Sequence, residues 1–414
     1  YASASDGTIR KAENLATQTI TFNDPSDMTF GAADQAITAS SSSGLTVTLA
    51  STTQSVCTIV SNSIRIVTAG TCTVTANQAG NSVYAAATQV SNNVTISKAA
   101  SSITASGSTT FTYSGLPQGP ATSNPVGSAG AVTYSYVGVA PTSYTASATK
   151  PTNAGSYSVT ATVATDTNYL SASSTPYTFT ISKSALEITA SSPRVNYGDA
   201  KPTITASYSG LVNGEAGTTV VAGLSCDTVY STTSPAGSLP ASSCSGGAAS
   251  NYTITYVSGT VNIDKIAPTL SLALPANALT ATFGTAVVIT ATVSKPGTVT
   301  FKADGNAIEG CTAVVATTTS TCNWTPSATN SATVLTADFF PTDSTNYTSL
   351  NATGSKTINV GKATQGVSLA TTSTNFNLGQ TETLTATVSA GASGTVTFTS
   401  SGNTLCTTGA LDSA

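Results

Sequence analysis

Four stretches of similar sequence recur along the chain and decide the fold: VTISKA (Val94–Ala99), FTISKS (Phe179–Ser184), VNIDKI (Val261–Ile266) and INVGKA (Ile358–Ala363). Each alternates apolar and polar residues before a lysine, and this period of two predicts a β-strand with one buried face. The shared lysines are spaced by 85, 82 and 97 residues: Lys98, Lys183, Lys265 and Lys362. A repeat of that length predicts a tandem array of small domains joined by linkers of a few residues.

A second pattern lies upstream of these lysines. GTCTVTA (Gly70–Ala76) and GSYSVTA (Gly155–Ala161) alternate in the same way and predict a further half-buried strand. A tyrosine then stands 14, 14 and 15 residues before its lysine, at Tyr84, Tyr169 and Tyr347. We expect each tyrosine ring to pack over its own hairpin, with the hydroxyl in water.

The composition predicts an all-β protein and excludes several classes of function. The 414 residues include 13 basic and 17 acidic side chains, a net charge of −4, and no histidine. Without histidine there is no Ser-His-Asp machinery and no imidazole metal site. The scattered cations argue against a nucleic-acid surface, and no apolar run approaches the ~18 residues of a membrane span. Val, Ile, Thr and Tyr are abundant, whereas helix signals are nearly absent.

The seven cysteines follow the repeats. They lie two per unit in the first, third and fourth units, separated by 15, 18 and 11 residues, and the second unit has none. Paired spacing inside small β domains predicts disulfides in an oxidising compartment. We expect three bridges: Cys57–Cys72, Cys226–Cys244 and Cys311–Cys322. Cys406 aligns with Cys311 and is expected to be unpaired because the fifth unit is truncated.

No catalytic, cofactor-binding or metal site is predicted. The five glutamates are spread over different units, and Asp166 is the single acid of the second unit, so no pair of carboxylates faces a common cleft. Calcium sites at the junctions would need several carboxylates each. Ser–Lys catalysis stays open on composition, although no strained nucleophile turn is visible.

Three other features are expected to be structural. The repeated lysines are interpreted as solvated edge or linker charges that discourage wrong strand pairing. Trp324 lies on the same strand face as Cys322 and is expected in the core against the disulfide rather than as a sugar platform. Five N-x-S/T sequons are expected to be chance occurrences in a Thr-rich chain: Asn93, Asn251, Asn323, Asn346 and Asn351.

These motifs resemble the bacterial immunoglobulin-like (Ig-like) repeats of large secreted and surface-attached proteins. Ser184–Lys265 is similar to the MBG type through VNYGDAKPTITASYSGLVNGE (Val195–Glu215) and SNYTITYVSGTVNIDK (Ser250–Lys265). SVCTIV in the first unit and GTVTF in the fourth and fifth resemble the general Ig-like repeats. The resemblance implies β-sandwich domains and a spacer or adhesive setting, and it carries over no catalytic residue.

The sequence therefore predicts an all-β tandem array of Ig-like β-sandwich domains. The expected boundaries are 1–14 for the end of a preceding unit, 15–98, 99–183 (MBG-like), 184–265 (MBG-type), 266–362, and 363–414 for a partial unit. The expected function is an extracellular structural spacer or stalk of a bacterial surface protein or adhesin fibre, without enzyme activity or cofactors. Its expected partners are neighbouring Ig-like domains of one longer chain.

Two alternatives stay open. One is a subunit of a self-associating extracellular filament, in which identical chains are the partners, because sheet edges and a nearly uncharged surface favour association. The other is an accessory or carbohydrate-binding region of a giant secreted enzyme.

Overall fold

A computed structural model describes residues 14–375, 377–389 and 392–411. Of the expected end of a preceding unit at 1–14, all but residue 14 lies outside this range. The fold is all-β, which confirms the predicted class. The described residues divide into two compact units, within the ranges Tyr1–Ala190, Thr205–Cys226 and Ser243–Val257 for one, and Ser191–Ile204, Asp227–Ser242 and Ser258–Ala414 for the other.

The first repeat packs two sheets over one apolar core. Its strands are β1 (Ile20–Phe22), β2 (Met28–Thr29), β3 (Gln35–Ala36), β4 (Ala39–Ser41), β5 (Thr48–Ser51), β6 (Cys57–Val60), β7 (Ser63–Ile66), β8 (Gly70–Asn77) and β9 (Val90–Ser97). One sheet has the order β2-β9-β8-β5 and another β3-β7-β6, while β1 pairs with β4. Alternate residues such as Val74 and Val94 are buried between them, and the Cys57–Cys72 bond joins β6 to β8.

The second repeat has the same plan with an aromatic core. Its strands are β10 (Ser102–Ser106), β11 (Thr110–Thr112), β12 (Thr122–Val126), β13 (Val132–Gly138), β14 (Gly155–Val163), β15 (Ala172–Ser173) and β16 (Tyr177–Ser182). The main sheet has the order β11-β16-β14-β13, with β15 also on β14, and β10 pairs with β12. This repeat has no cysteine; Phe179 stacks on Tyr157 with ring centroids 5.6 Å apart and meets the edge of Tyr136.

The third repeat contributes strands to both compact units. Its elements are β17 (Ser184–Ala190), β18 (Arg194–Asn196), β19 (Ala206–Ser209), the one-turn helix α1 (Gly217–Val220), β20 (Ser225–Thr228), β21 (Ala241–Ser245), β22 (Tyr252–Val257), β23 (Gly259–Thr260) and β24 (Asn262–Asp264). In the first unit β17 lies between β19 and β22. In the second, β18 pairs with β24 and β21 with β23. Cys226 of β20 is bonded to Cys244 of β21.

The fourth repeat has an extensive apolar core. Its strands are β25 (Leu270–Ala273), β26 (Thr280–Thr282), β27 (Val287–Val293), β28 (Gly297–Ala303), β29 (Asn306–Ala307), β30 (Val314–Ala316), β31 (Thr319–Trp324), β32 (Asn330–Pro341) and β33 (Leu350–Gly361), with a 3-10 turn at Pro275–Asn277. The sheet β25-β27-β31 covers the sheet β26-β33-β32-β28-β29, and β30 also pairs with β28. Cys311 and Cys322 form the third disulfide.

The described part of the fifth repeat consists of two hairpins. Strand β34 (Val367–Thr371) pairs with β35 (Leu384–Val388), and β36 (Thr397–Ser400) pairs with β37 (Asn403–Thr407). Cys406 lies on β37 and is free and exposed.

Candidate functional site

One arrangement recurs at the end of four repeats. The last strand pairs in parallel with a short strand from the start of the same repeat: β9 with β2, β16 with β11, β24 with β18, and β33 with β26. An aromatic residue follows each short strand and extends the pairing through its backbone N–H, at N···O distances of 2.8–2.9 Å: Phe30, Tyr113, Tyr197 and Phe283. Each ring therefore stands beside the residue that precedes the repeat's terminal lysine.

The next repeat approaches this end with a loop that finishes in an Asn-Tyr dipeptide. The residue after the terminal lysine pairs in parallel with that tyrosine: Ala99 with Tyr169, Ser184 with Tyr252, and Ile266 with Tyr347. The backbone N–H of Ala99, for example, donates to the Asn168 carbonyl at 2.9 Å. We call these three regions the first, second and third junctions, in chain order.

An aromatic pair crosses each junction. Phe30 meets Tyr169 with ring centroids 5.5 Å apart and an interplanar angle of 77°. The second junction pairs Tyr113 with Tyr252 at 5.4 Å and 80°, and the third pairs Tyr197 with Tyr347 at 5.8 Å and 81°. Edge-to-face contacts of this kind contribute about 0.5–1.5 kcal/mol beyond the buried area.

The terminal lysine and the loop asparagine add polar contacts in opposite directions. Lys98 Nζ donates to the Asp166 carbonyl at 2.6 Å, and the other two lysines donate to Ala249 and Ser344 carbonyls at 3.2 and 2.8 Å. The asparagine Oδ1 accepts a backbone N–H of the preceding repeat at 2.8–3.0 Å: Asn168 from Ala69, Asn251 from Ala154, and Asn346 from Ala236. Each junction therefore has one hydrogen bond that ends on the loop backbone and one that ends on the loop asparagine side chain.

The loops themselves are rigidly held. Asp166 Oδ1 accepts the backbone N–H groups of Asn168 and Tyr169 at 2.8 Å, and its Oδ2 accepts that of Ala129. These hydrogen bonds hold the pKa of Asp166 below its usual value, and the one from the Ala129 N–H has the largest effect. In the third junction the Asn346 side-chain amide donates to Asp343 Oδ2 at 2.7 Å. The Asn346 Oδ1 atom is thereby left to face the preceding repeat.

The second junction has a further carboxylate bridge. Glu215 accepts the Tyr113 hydroxyl at 2.5 Å with one oxygen and the Tyr252 hydroxyl with the other, so one carboxylate joins both rings. Burial and this carboxylate raise the pKa of Tyr113 to about 12. Asn213 also donates to the Gly115 carbonyl at 3.2 Å.

The third junction has a cation instead. Lys295 Nζ lies 4.9 Å from the centroid of the Tyr347 ring, within the range of a cation–π contact. The three junctions therefore share one framework and differ in how the tyrosine is reinforced.

Two interpretations from the sequence were wrong in detail. Tyr169 and Tyr347 do not pack only over their own hairpins; their rings meet an aromatic residue of the preceding repeat. The repeated lysines are not merely solvated charges, because Lys98, Lys183 and Lys265 donate across the junctions.

The sequence analysis missed the aromatic residues that precede a glycine near each repeat's start. Phe30-Gly31, Tyr197-Gly198 and Phe283-Gly284 recur visibly, and Tyr113 stands two residues before Gly115. The recurring Asn-Tyr dipeptide was the other available signal. Two of the sequons, at Asn251 and Asn346, belong to it, and their side chains are engaged in the junctions.

The structure places the remaining candidates as follows. The three cysteine pairs lie 4.0–5.6 Å apart between Cα atoms in disulfide bonds. Trp324 is buried in the fourth core together with Cys322. Within the described residues no three His, Cys, Asp or Glu side chains are grouped to hold a metal ion. In the same part of the chain, no helix has the length and apolarity that crossing a bilayer requires.

Comparison with known proteins identifies one repeat. Residues 186–262 match the family model of the MBG domain (YGX type), which confirms the resemblance to MBG-type Ig-like repeats. Tyr197-Gly198-Asp199 lies in this segment, so its tyrosine is the aromatic residue of the third junction. No curated protein sequence matches the chain.

Several solved structures of multidomain proteins are similar to the chain at low identity. Surface layer protein SbsC, domains 1–6, is 11% identical with a TM-score of 0.20, covering 94% of this chain and 65% of that one. The N-terminal eight Ig domains of Down Syndrome Cell Adhesion Molecule isoform 1.30.30 are 11% identical with a TM-score of 0.22, covering 87% and 51%. SbsC domains 4–9 are 12% identical with a TM-score of 0.21, covering 91% and 71%. The chain spans less than two thirds of the first two, and at these TM-scores the likenesses indicate no function.

Proposed function

We propose that the chain is an extracellular spacer of a larger surface protein, in which the junctions hold successive repeats at fixed angles. One observation carries the proposal: the same parallel bridge, aromatic pair, lysine and asparagine contacts recur at three junctions. The partners of each repeat are then its neighbours in the same chain.

The linkers and the contacts together limit bending. The strands on either side of the first junction end at Ser97 and begin at Ser102, and those of the second end at Ser182 and begin at Ser184. Each hydrogen bond contributes about 0.5–1.5 kcal/mol net, and the aromatic pair a similar amount. Because the short linker keeps both partners close, a few kcal/mol suffice to keep a junction closed.

The disulfides support an extracellular setting. Structural disulfides persist in oxidising compartments, and this chain has three in its described residues. Charged residues make up only 7% of the chain, which suits neither a nucleic-acid nor a membrane-surface role.

We include in the proposal that the chain is not an enzyme. It has no histidine, and its 17 acids are spread along 414 residues, so the usual acid–base groups do not converge. The feature that recurs along the chain is the contact between neighbouring repeats at the three junctions.

Small-angle scattering on the wild type and a triple variant tests the spacer. A single compact globule of this length would have a radius of gyration of roughly 22 Å. We expect a clearly larger value for the wild type. The variant Asn168→Ala, Asn251→Ala and Asn346→Ala should show a broader distribution of dimensions, whereas the exposed control Asn351→Ala should match the wild type. A wild-type value near that of one globule, or a triple variant with unchanged scattering, would refute the proposal.

A further inference from the structure

A recess in the fourth repeat has a composition unlike the rest of the chain. It has a volume of about 640 Å³ and is lined by the β28–β29 turn, the end of β31 and the segment that enters β32. This volume lies within the ~300–1,000 Å³ of ordinary ligand pockets. Two carboxylates and three carboxamides line it, in a chain with only 7% charged residues: Asp304, Glu309, Asn306, Asn323 and Asn330.

The only tryptophan of the chain also lines this recess. Trp324 is 8% exposed and packs with the Cys311–Cys322 bond in the core. Its indole N–H makes no hydrogen bond with another described residue. Buried tryptophans usually find a partner for this group. The indole nitrogen of Trp324 is not among the buried polar atoms that lack a partner, so solvent reaches it, and a ligand acceptor in the recess can take the place of water.

Part of the lining is already fixed in place. Asp304 Oδ1 accepts the Val334 N–H at 2.8 Å, and its Oδ2 accepts the Asn330 amide at 3.2 Å. Glu309 and Asn323 are exposed, and their side chains make no hydrogen bond with another described residue. The recess therefore combines a rigid wall with two polar groups that are available to a ligand.

We propose that this recess binds a carbohydrate, a site distinct from the junctions. Among the described residues, the lining contains neither lysine nor arginine, and its two carboxylates would repel a phosphate or another anion. The two carboxylates and three carboxamides disfavour a wholly apolar ligand, whereas the alanine, isoleucine and tryptophan side chains beside them suit the C–H faces of a sugar ring. A sugar presents adjacent hydroxyls that donate to carboxylates and both donate to and accept from carboxamides, while an acetal or hydroxyl oxygen accepts the indole N–H.

The single tryptophan gives a local signal for the test. The whole chain is titrated with neutral tri- and tetrasaccharides of glucose, galactose and N-acetylglucosamine while tryptophan fluorescence is followed. We expect a saturable change with at least one of them. Glu309→Ala and Asn323→Ala should each weaken that binding about tenfold or more, with unchanged thermal unfolding, and Asn351→Ala should bind as the wild type does.

Three results would overturn the site. The first is no fluorescence change with any saccharide of the panel. The second is unaltered saccharide binding in both variants. The third is a response to inorganic phosphate or a quaternary ammonium ion in place of the saccharides. Because scattering does not depend on this recess, failure here leaves the spacer proposal standing.

Discussion

Replacing Asn346 by alanine isolates the asparagine contact of the third junction. The Asn346 Oδ1 atom accepts the N–H of Ala236 at 2.8 Å, and Ala236 is only 8% exposed. The variant removes the acceptor and leaves a buried backbone donor unpaired. Such a group costs about 1–3 kcal/mol. Local opening at the Ala236 amide should therefore become easier by roughly 5- to 150-fold, since about 1.4 kcal/mol is a factor of ten.

Amide hydrogen exchange at Ala236 measures this quantity directly. We expect its protection to fall by that factor, and the amides of the fourth core, such as that of Phe301, to keep theirs. Asn351→Ala is the matched control because Asn351 is an exposed asparagine of the same repeat. If Ala236 is protected equally in the variant and the control, the asparagine does not hold the junction and the reasoning fails.

Four other perturbations test separate parts of the structure. Lys98→Met should lower the free energy of unfolding by about 0.5–1.5 kcal/mol in urea denaturation, since the Asp166 carbonyl at 2.6 Å loses its donor; an unchanged midpoint would contradict this. The lowered pKa of Asp166 stabilises the fold above the ordinary pKa of 3.8, and that gain is lost as the pH falls through the folded value; Asp166→Asn should flatten this acid dependence of thermal unfolding. Glu215→Gln should bring the pKa of the Tyr113 hydroxyl down from about 12, though not to its ordinary value, because burial remains; NMR titration of that ring decides. Reducing Cys311–Cys322, which closes a loop of 11 residues, should cost about 3 kcal/mol in calorimetry, and a smaller loss would mean a structured reduced state.

The strand pattern made the fold predictable. Alternation in VTISKA and its three counterparts places Val94 and Ile96 on the buried face and Thr95 and Ser97 outside, as the structure has them. This works because a strand with one covered face imposes a strict period of two. The pairing of the cysteines could also be predicted from the sequence, since both members of each pair lie within one repeat.

The junctions were not predictable in the same way. Phe30 and Tyr169 are 139 residues apart, and their contact follows from where two strands end, not from any local pattern. The tyrosine was recognised by its spacing from the lysine, but nothing in that spacing shows which repeat its ring faces. The recess around Trp324 could not be predicted from the sequence either, because it depends on how three separate segments converge.

The placement of the junction residues explains how repeats with different cores can form the same kind of junction. The first repeat has a disulfide across its sheets, the second an aromatic core without cysteine, and the fourth an extensive apolar core with a disulfide and a tryptophan. The parallel pairing, the aromatic pair and the lysine contact nevertheless use the end of the last strand, the short strand parallel to it, and the loop that carries the Asn-Tyr dipeptide. The asparagine of that loop accepts a backbone N–H from another loop of the preceding repeat. The backbone pairing that positions these groups does not depend on which side chains fill the core. We therefore expect that a core can change without disturbing the junction, whereas loss of the aromatic residue or the asparagine should open the junction without unfolding the domain.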